Sequence, residues 1–399
     1  MMKYVFKKTR YRILAPLFDL AGSIVFFPIK AFKKNPPLDP KSILVIRLDH
    51  IGDFICTSPV FENLKSRFPS ARITALVNSA SKELAFRNPH IDKVIAFSPF
   101  WLDRRDKSSS LKALLRVIKD VRNIGFDLGI EPRGDILSII IMWLGRVKYR
   151  VGYGITGGGF LLHKEGKYDK KAHIIDRNLT LLEALNIPVA HKLPDVYFNE
   201  KDKDAVEGLL LSPKSGGIAM TEKEGGARND GSATGLDRAV VIHPFAGSKA
   251  KEWPRENFCK LIELLKENGY SVLLVGSKGD NGVFENTIDL RGRLNLPQLA
   301  CLIKKIGFFI GLDSGPANIA AALNVPSIII CSGTNIPQLW IPKSPNVKFL
   351  YKDIECRPCE NKVCPKAKHE CMEAISVDDV LGLVEDIYHQ HEYAVNKNK

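Results

Sequence analysis

The chain has 399 residues, 45% of them hydrophobic and 26% charged, with a formal net charge of +14. That length suits two domains better than one, and the composition is that of a globular protein able to bury a sizeable core, which excludes a chain too polar to fold. The positive excess points to an anionic partner such as a nucleotide, a phosphorylated glycan or a membrane surface.

Half of that excess sits in the first tenth of the chain. Residues 1–34 carry Lys3, Lys7, Lys8, Arg10, Arg12, Lys30, Lys33 and Lys34 against Asp19 alone. Between the basic clusters runs ILAPLFDLAGSIVFFPI, residues 13–29. It contains Asp19 and two prolines and falls short of the roughly 20 apolar residues that a spanning helix needs. No small-residue cleavage site follows it, so a secretory signal is not expected. The expectation for residues 1–38 is a basic, apolar segment lying on an anionic membrane surface. The alternative is a terminal helix packed on the protein's own surface. Nucleic-acid binding is disfavoured, because much of the charge rides on an apolar segment without an RNA or DNA motif.

NPPLDP, residues 35–40, reads as a linker. Apolar runs then recur at 43–47, 72–77, 93–97 and 126–130, separated by helical patterns such as 59–68 and 111–123. HIIDRNLTLLEALNI, 173–187, reads as a further helix. Strands alternating with helices predict a parallel sheet covered on both faces. Residues 212–238 are polar and glycine-rich and read as a loosely held insertion. A second strand–helix series follows, with strands at 239–243, 271–276, 307–312 and 326–331. The last helix, 377–388, places Val380, Leu381, Val384, Ile387 and Tyr388 on one stripe, with Ser376 as its N-cap. The expected domains are therefore 41–205 and 239–390, with 206–238 as a flexible linker. Such sheets bind ligands at the carboxyl ends of their strands.

Three strand-to-helix junctions carry the chemistry. In FFIGLDSGPANIAAALNVP, 308–326, a strand ends at Leu312 and Asp313-Ser314-Gly315-Pro316 turns into a helix. Free N–H groups and the positive helix end make an anion site there; plain helix capping by Asp313 or Ser314 is the competing explanation. In HPFAGSKAKEWPRENF, 243–258, a strand runs into a loop with Gly247, Ser248, Lys249 and Lys251, whose ammonium groups suit a diphosphate. In ILVIRLDHIGDFICTSPVFENLK, 43–65, Gly52-Asp53 places a carboxylate at the junction. An N-cap role for Asp53 is the alternative there.

Together these segments resemble the ADP-heptose–lipopolysaccharide heptosyltransferases, the inverting transferases of glycosyltransferase family nine. The likeness rests on Arg47-Leu48 with Gly52-Asp53 and Thr57-Ser58-Pro59, on Lys251-Glu252-Trp253-Pro254, and on Asp313-Ser314-Gly315-Pro316. It takes in FDLGIEPRGDILS (126–138), RVGY (150–153) and the C-terminal cysteine stretch, and spans roughly residues 42–390. It implies a GT-B fold: two facing Rossmann-like parallel-sheet domains with a cleft between, acceptor bound by the first and sugar nucleotide by the second.

The resemblance further implies that Asp53 is the general base in a single inverting displacement. Lys251, Ser248, Asp313, Ser314, Gly315 and Asn318 would bind the donor without a metal. No cofactor is expected. Gly52, Arg133 and Asp135 are expected on the acceptor side, Arg133 to read a phosphate or carboxylate; a surface turn is the competing explanation for the EPRGD stretch. The implied partners are a nucleotide-sugar donor, a lipid-linked glycan acceptor and the cytoplasmic face of the inner membrane. Two departures stand out. Asn318 occupies a position where the family usually has histidine, and only residues 277–287 fill a segment that is generally longer.

Cys356, Cys359, Cys364 and Cys371 form C-x2-C-x4-C-x6-C with His369 nearby, a spacing open to structural zinc, a disulfide or reduced thiols. His173 and His243 have no partner legible in the sequence. Two other functions compete with the heptosyltransferase reading: a non-catalytic sugar-nucleotide-binding protein, and a family member with a different donor sugar. An NAD(P) oxidoreductase is disfavoured, since neither domain's first turn carries G-x-G-x-x-G.

Overall fold

Each half of the chain builds its own six-stranded, all-parallel sheet. The computed structural model describes residues 4, 9–25, 35–99, 110–211 and 238–397. The chain divides into two units, Met1–Asp195 and Val196–Lys399.

In the first unit the strands are β1 (Ser42–Arg47), β2 (Arg72–Val77), β3 (Lys93–Ala96), β4 (Leu128–Glu131), β5 (Tyr149–Gly152) and β6 (Lys164–Glu165). Their order across the sheet is β3-β2-β1-β4-β5-β6. β1 pairs with β2 from Ser42↔Arg72 to Arg47↔Val77 and with β4 from Ile43↔Leu128 to Val45↔Ile130. Ile43–Ile46 are wholly buried, as a central strand covered on both faces requires. Helix Leu111–Ile124 starts where Ser110 Oγ accepts from Ala113 N and stops at Gly125, whose φ of +70° a β-carbon would strain. It buries Val117 and Val121 against Phe126, Ile139 and Met142.

The second unit contains β7 (Ala239–His243), β8 (Ser271–Leu274), β9 (Ile288–Asp289), β10 (Phe309–Leu312), β11 (Ser327–Ile330) and β12 (Val347–Leu350). The order β12-β11-β10-β7-β8-β9 is the first sheet's order repeated. Both sheets therefore reverse direction once, between β1 and β4 and between β7 and β10. In a doubly wound sheet that reversal opens a crevice at the strand ends, where ligands bind. Val240, Ile242, Ile310 and Ile328 form the second core with Trp253, Phe258, Val380 and Val384. Trp253 is held there by its indole N–H, which donates to Ile375 O at 3.0 Å.

The predicted strands and helices stand close to where periodicity places them. The final helix, Val377–Lys397, runs further than expected and begins with a reciprocal pair: Ser376 Oγ accepts from Asp379 N, and Asp379 Oδ2 from Ser376 N. Strands β5, β6, β9 and β12 were not foreseen; they are short edge or near-edge strands with little apolar alternation. The domain boundary also moves. Helix Glu200–Leu211 lies across the expected 205/206 division, but it belongs to the second unit, where Lys305 pairs with Glu207 at 2.7 Å. The rest of the expected linker, 212–237, lies outside the described residues.

Helix Thr9–Val25 includes Pro16 and covers part of the first unit. Asp19, 7% exposed, accepts from Gly158 N at 2.7 Å and from Tyr4 Oη at 2.9 Å. Phe18 packs on Phe160. Leu14, Leu17, Leu20, Ile24 and Val25 face outward, all more than half exposed. Lys3, Lys7, Lys8, Lys30, Lys33 and Lys34 lie outside the described residues. Among the described residues, no helix is long and apolar enough to cross a membrane.

Candidate active site

The sequence-predicted residues gather at the two sheet-reversal points, one set in each unit. In the first unit, β1 ends at Arg47 and helix Ile51–Ile55 begins four residues later. Gly52 is helical, not a tight turn, so its role is not conformational freedom at a reversed φ. Asp53 stands in the first turn with its side chain 15% exposed. Its Oδ2 accepts from His50 N at 3.3 Å and its Oδ1 lies 3.2 Å from Arg47 Nη2.

Arg47 is the hub. Its side chain is 3% exposed; Nε lies 2.8 Å from Asp49 Oδ1, and Nη1 donates to Asn178 Oδ1 at 3.4 Å. Burial opposes the guanidinium's charge, but Asp49 and Asp53 more than offset it. Asn178, on helix Ile174–Glu183, donates to Cys56 O and to Thr57 Oγ1, and Thr57 Oγ1 in turn donates to Asp53 O. The backbone carrying Asp53 is thus braced from a helix more than a hundred residues away in sequence.

After β4, Arg133 Nε lies 3.5 Å from Asp49 Oδ2. Asp135 is the N-cap of helix Ile136–Leu144, accepting from Ser138 N and Oγ at 3.2 and 3.0 Å. Both of these bonds fall on Oδ2; Oδ1 lies 4.0 Å from Arg133 Nη1, and Arg133, one-third exposed, keeps a face to solvent. Glu131 is 1% exposed and accepts from Gly134 N at 2.5 Å. Burial, aided by Asp135, pushes its carboxyl up to about 8. Burial also lifts Asp49 to about 6, against the pull of Arg47.

In the second unit, β7 leads to Ser248 and the short turn Lys249–Lys251, and β10 leads to helix Gly315–Ala322. Lys251 Nζ lies 2.7 Å from Asp313 Oδ2, which also accepts from Asn335 Nδ2 at 2.8 Å. Ser314 stands at the N-cap but makes no side-chain cap bond. Its hydroxyl instead donates to Leu312 O at 3.1 Å and lies 3.2 Å from His243 Nδ1. Capping therefore does not explain the D-S-G-P junction. Pro316 supplies no N–H, and Asn318 Nδ2 folds back to Ser314 O at 2.9 Å. His243, without a partner in the sequence reading, has one here; burial pushes its imidazole down to about 4, so it is neutral near pH 7. His173 likewise caps its helix, accepting from Ile175 N.

A fixed carboxylate at one reversal point, and a lysine beside an uncapped helix start at the other, are the parts a sugar-nucleotide transferase needs. Residues 114–370 match the family model described as glycosyltransferase family 9 (heptosyltransferase). The chain belongs to that family. As a family 9 glycosyltransferase it is 26% identical over 371 residues to lipopolysaccharide heptosyltransferase 3 of Escherichia coli K12, covering 87% of this chain and 98% of that one. Its fold is similar to that of a family 9 glycosyl transferase from Veillonella parvula, with a TM-score of 0.70 and 20% identity over 88% of this chain and 98% of that one. It is also similar to E. coli ADP-heptose lps heptosyltransferase II, with a TM-score of 0.64 and 20% identity over 88% and 99% of the two chains. The fold is the GT-B type.

Within this family 9 site, Asp49, Glu131, Asn178, Asn335 and the His243–Ser314 contact were not foreseen. Asp49 alone left a signal, a carboxylate two residues past a strand-terminal arginine. The four clustered cysteines line one cavity with His369, and none forms a disulfide. Among the described residues, no group of three or more His, Cys, Asp or Glu side chains is arranged to hold a metal ion.

Proposed function

We propose that this glycosyltransferase moves a heptose or a related sugar from an ADP-activated donor to a lipopolysaccharide-core or other lipid-linked glycan acceptor. On this reading transfer is inverting and metal-independent. The observation that carries it is Asp53: a carboxylate at a sheet-reversal point, with one oxygen paired to Arg47 and the other accepting the His50 N–H. A general base must be ionised, fixed and reachable.

In the step, Asp53 Oδ2 takes the proton of the acceptor hydroxyl as that oxygen forms a bond to the anomeric carbon. The bond from the anomeric carbon to the diphosphate breaks on the opposite face, and its electron pair leaves with the nucleoside diphosphate. Lys251 and the N–H groups at the start of helix Gly315–Ala322 meet the charge that builds on the phosphates, a preorganised stabilisation of the oxyanion type. Asp313 and Asn335 hold Lys251 in place for this. Names of similar proteins support the donor and acceptor classes: a lipopolysaccharide heptosyltransferase 3 and an ADP-heptose lps heptosyltransferase II.

The outward apolar face of helix Thr9–Val25, together with the basic residues flanking it in sequence, supports peripheral attachment to an anionic membrane surface on the cytoplasmic side. That location places the enzyme beside a lipid-linked acceptor.

The test is Asp53→Asn, assayed for ADP release from ADP-heptose with a lipid-linked core acceptor. The variant is expected to fold, to bind donor as the wild type does, and to lose transfer by at least a hundredfold, in line with the usual worth of a general base. A near-wild-type rate overturns the reading.

A further inference from the structure

Four charged side chains line up at the carboxyl ends of β1 and β4 in alternating sign. Arg133 Nε lies 3.5 Å from Asp49 Oδ2, Asp49 Oδ1 lies 2.8 Å from Arg47 Nε, and Arg47 Nη2 lies 3.2 Å from Asp53 Oδ1. The row ends on the carboxylate that takes the proton in the reaction above. Asp49 is itself poorly placed to do so. Its side chain is 9% exposed, and each of its oxygens faces an arginine.

A buried guanidinium set against a single carboxylate lowers that carboxylate's affinity for protons. That is the wrong direction for a base, whose strength rises with its proton affinity. A second carboxylate on the same guanidinium divides the attraction. We propose that Asp49 is a positioning residue for Asp53: it turns Arg47 so that a single N–H group reaches Asp53 Oδ1, and it neutralises enough of the guanidinium to leave Asp53 Oδ2 basic. The contact between Arg47 Nε and Asp49 Oδ1 is close but not aligned as a hydrogen bond, so its role is charge balance more than directional bonding. The inference rests on reading Asp53 as the base.

A pH signature follows. The groups facing Asp49 are Arg47 from β1, His50 and Asp53 from the turn and helix after it, and Arg133 from the loop after β4. Glu131 and Asp135 surround the Arg133 loop. When Asp49 gains a proton, as burial allows near pH 6, Arg47 acts undivided on Asp53. Turnover should then fall, because an undivided guanidinium weakens the base it faces.

The experiment is the pH profile of kcat at saturating donor and acceptor, for the wild type and for Asp49→Asn, Asp49→Glu and Asp53→Asn. Asp49→Asn is expected to lower the plateau roughly three- to tenfold and to move the acid limb down by about one pH unit, with donor KM unchanged. Asp49→Glu, which keeps the charge, should recover most of the rate and return the limb toward the wild-type position. A fall in kcat with an unmoved limb, or one that Asp49→Glu fails to rescue, overturns the proposal. Should Asp49→Asn not fold, Arg133→Gln gives the complementary reading: loss of the cation on the far side of Asp49 should move the limb upward, and an unmoved limb overturns the proposal equally. Asp53→Asn separates the two readings. Full activity there defeats the base assignment, whereas lost activity there beside an unmoved limb in Asp49→Asn defeats only the present inference.

Discussion

Lys251 Nζ sits 2.7 Å from Asp313 Oδ2, joining the loop after β7 to the turn after β10 across 62 residues of sequence. The lysine that the sequence assigns to a diphosphate is therefore held by a carboxylate, which is in turn braced by Asn335. The pair fixes the ammonium beside an uncapped helix start, the place where the proposed donor's phosphates would meet a charge already in position.

Lys251→Met should lower kcat by about a hundredfold, the usual effect of removing one oxyanion-stabilising donor. Asp313→Asn keeps the ammonium but loosens it, and should cost less. Steady-state kinetics with saturating acceptor checks both; equal losses would mean that Asp313 contributes more than the placement of Lys251.

Two buried groups should make the units respond oppositely to pH. His243 has its folded pKa depressed from 6.5 to about 4, so its contribution is complete above pH 6.5 and is lost as pH falls through that window. Glu131 has its folded pKa raised from 4.5 to about 8, so its contribution is complete below pH 4.5 and is lost as pH rises toward 8. From the pKa differences, His243 is worth at most roughly 3 kcal/mol and Glu131 at most roughly 5 kcal/mol. Glu131→Gln should therefore raise the Tm of the first unit at pH 8 and give no gain at pH 4.5, as measured by calorimetry at the two pH values.

The exposed face of helix Thr9–Val25 gives a direct test of membrane attachment. Leu17→Asp and Ile24→Asp alter residues 58% and 68% exposed, and should weaken co-sedimentation with vesicles containing anionic lipid while leaving Tm unchanged. Asp19→Ala removes the acceptor for Gly158 N and for the Tyr4 hydroxyl. It should destabilise the helix's seat by roughly 1–3 kcal/mol, seen as faster amide exchange over residues 9–25.

Donor choice is accessible by thermal shift. ADP-heptose at a hundred times its Kd should add about 2.7 kcal/mol of stability by mass action. UDP-hexoses at the same concentration should add much less. The reverse ranking would overturn the donor assignment while leaving the transferase reading intact.

Much of the fold was legible because its signals are local. Central strands such as Ile43–Ile46 and Ile328–Ile330 are apolar on both faces, and the helices between them carry their own caps at Ser110, Asp135 and Ser376. The edge strands β6, β9 and β12 have little such pattern, since pairing with one neighbour, not burial on two faces, defines them. The boundary at 195/196 was missed for a related reason: helix Glu200–Leu211 is bound to its unit by packing that its own residues do not announce.

The amino-acid sequence by itself determined the two strand–helix series, the three junction motifs and, through them, the family. Those depend on residue types a few positions apart, where spacing along the chain sets spacing in the structure. Only the tertiary structure decided how the site's charges are shared: Arg47 between Asp49 and Asp53, Lys251 by Asp313 and Asn335, and Ser314 with His243. Most of those partners come from different strands. β7 and β10 lie side by side only because the sheet reverses between them, with His243 opposite Gly311. Sheet register, a long-range property, thus sets which ions meet, and in a buried site the partner decides whether a carboxylate serves as a base or as a brace.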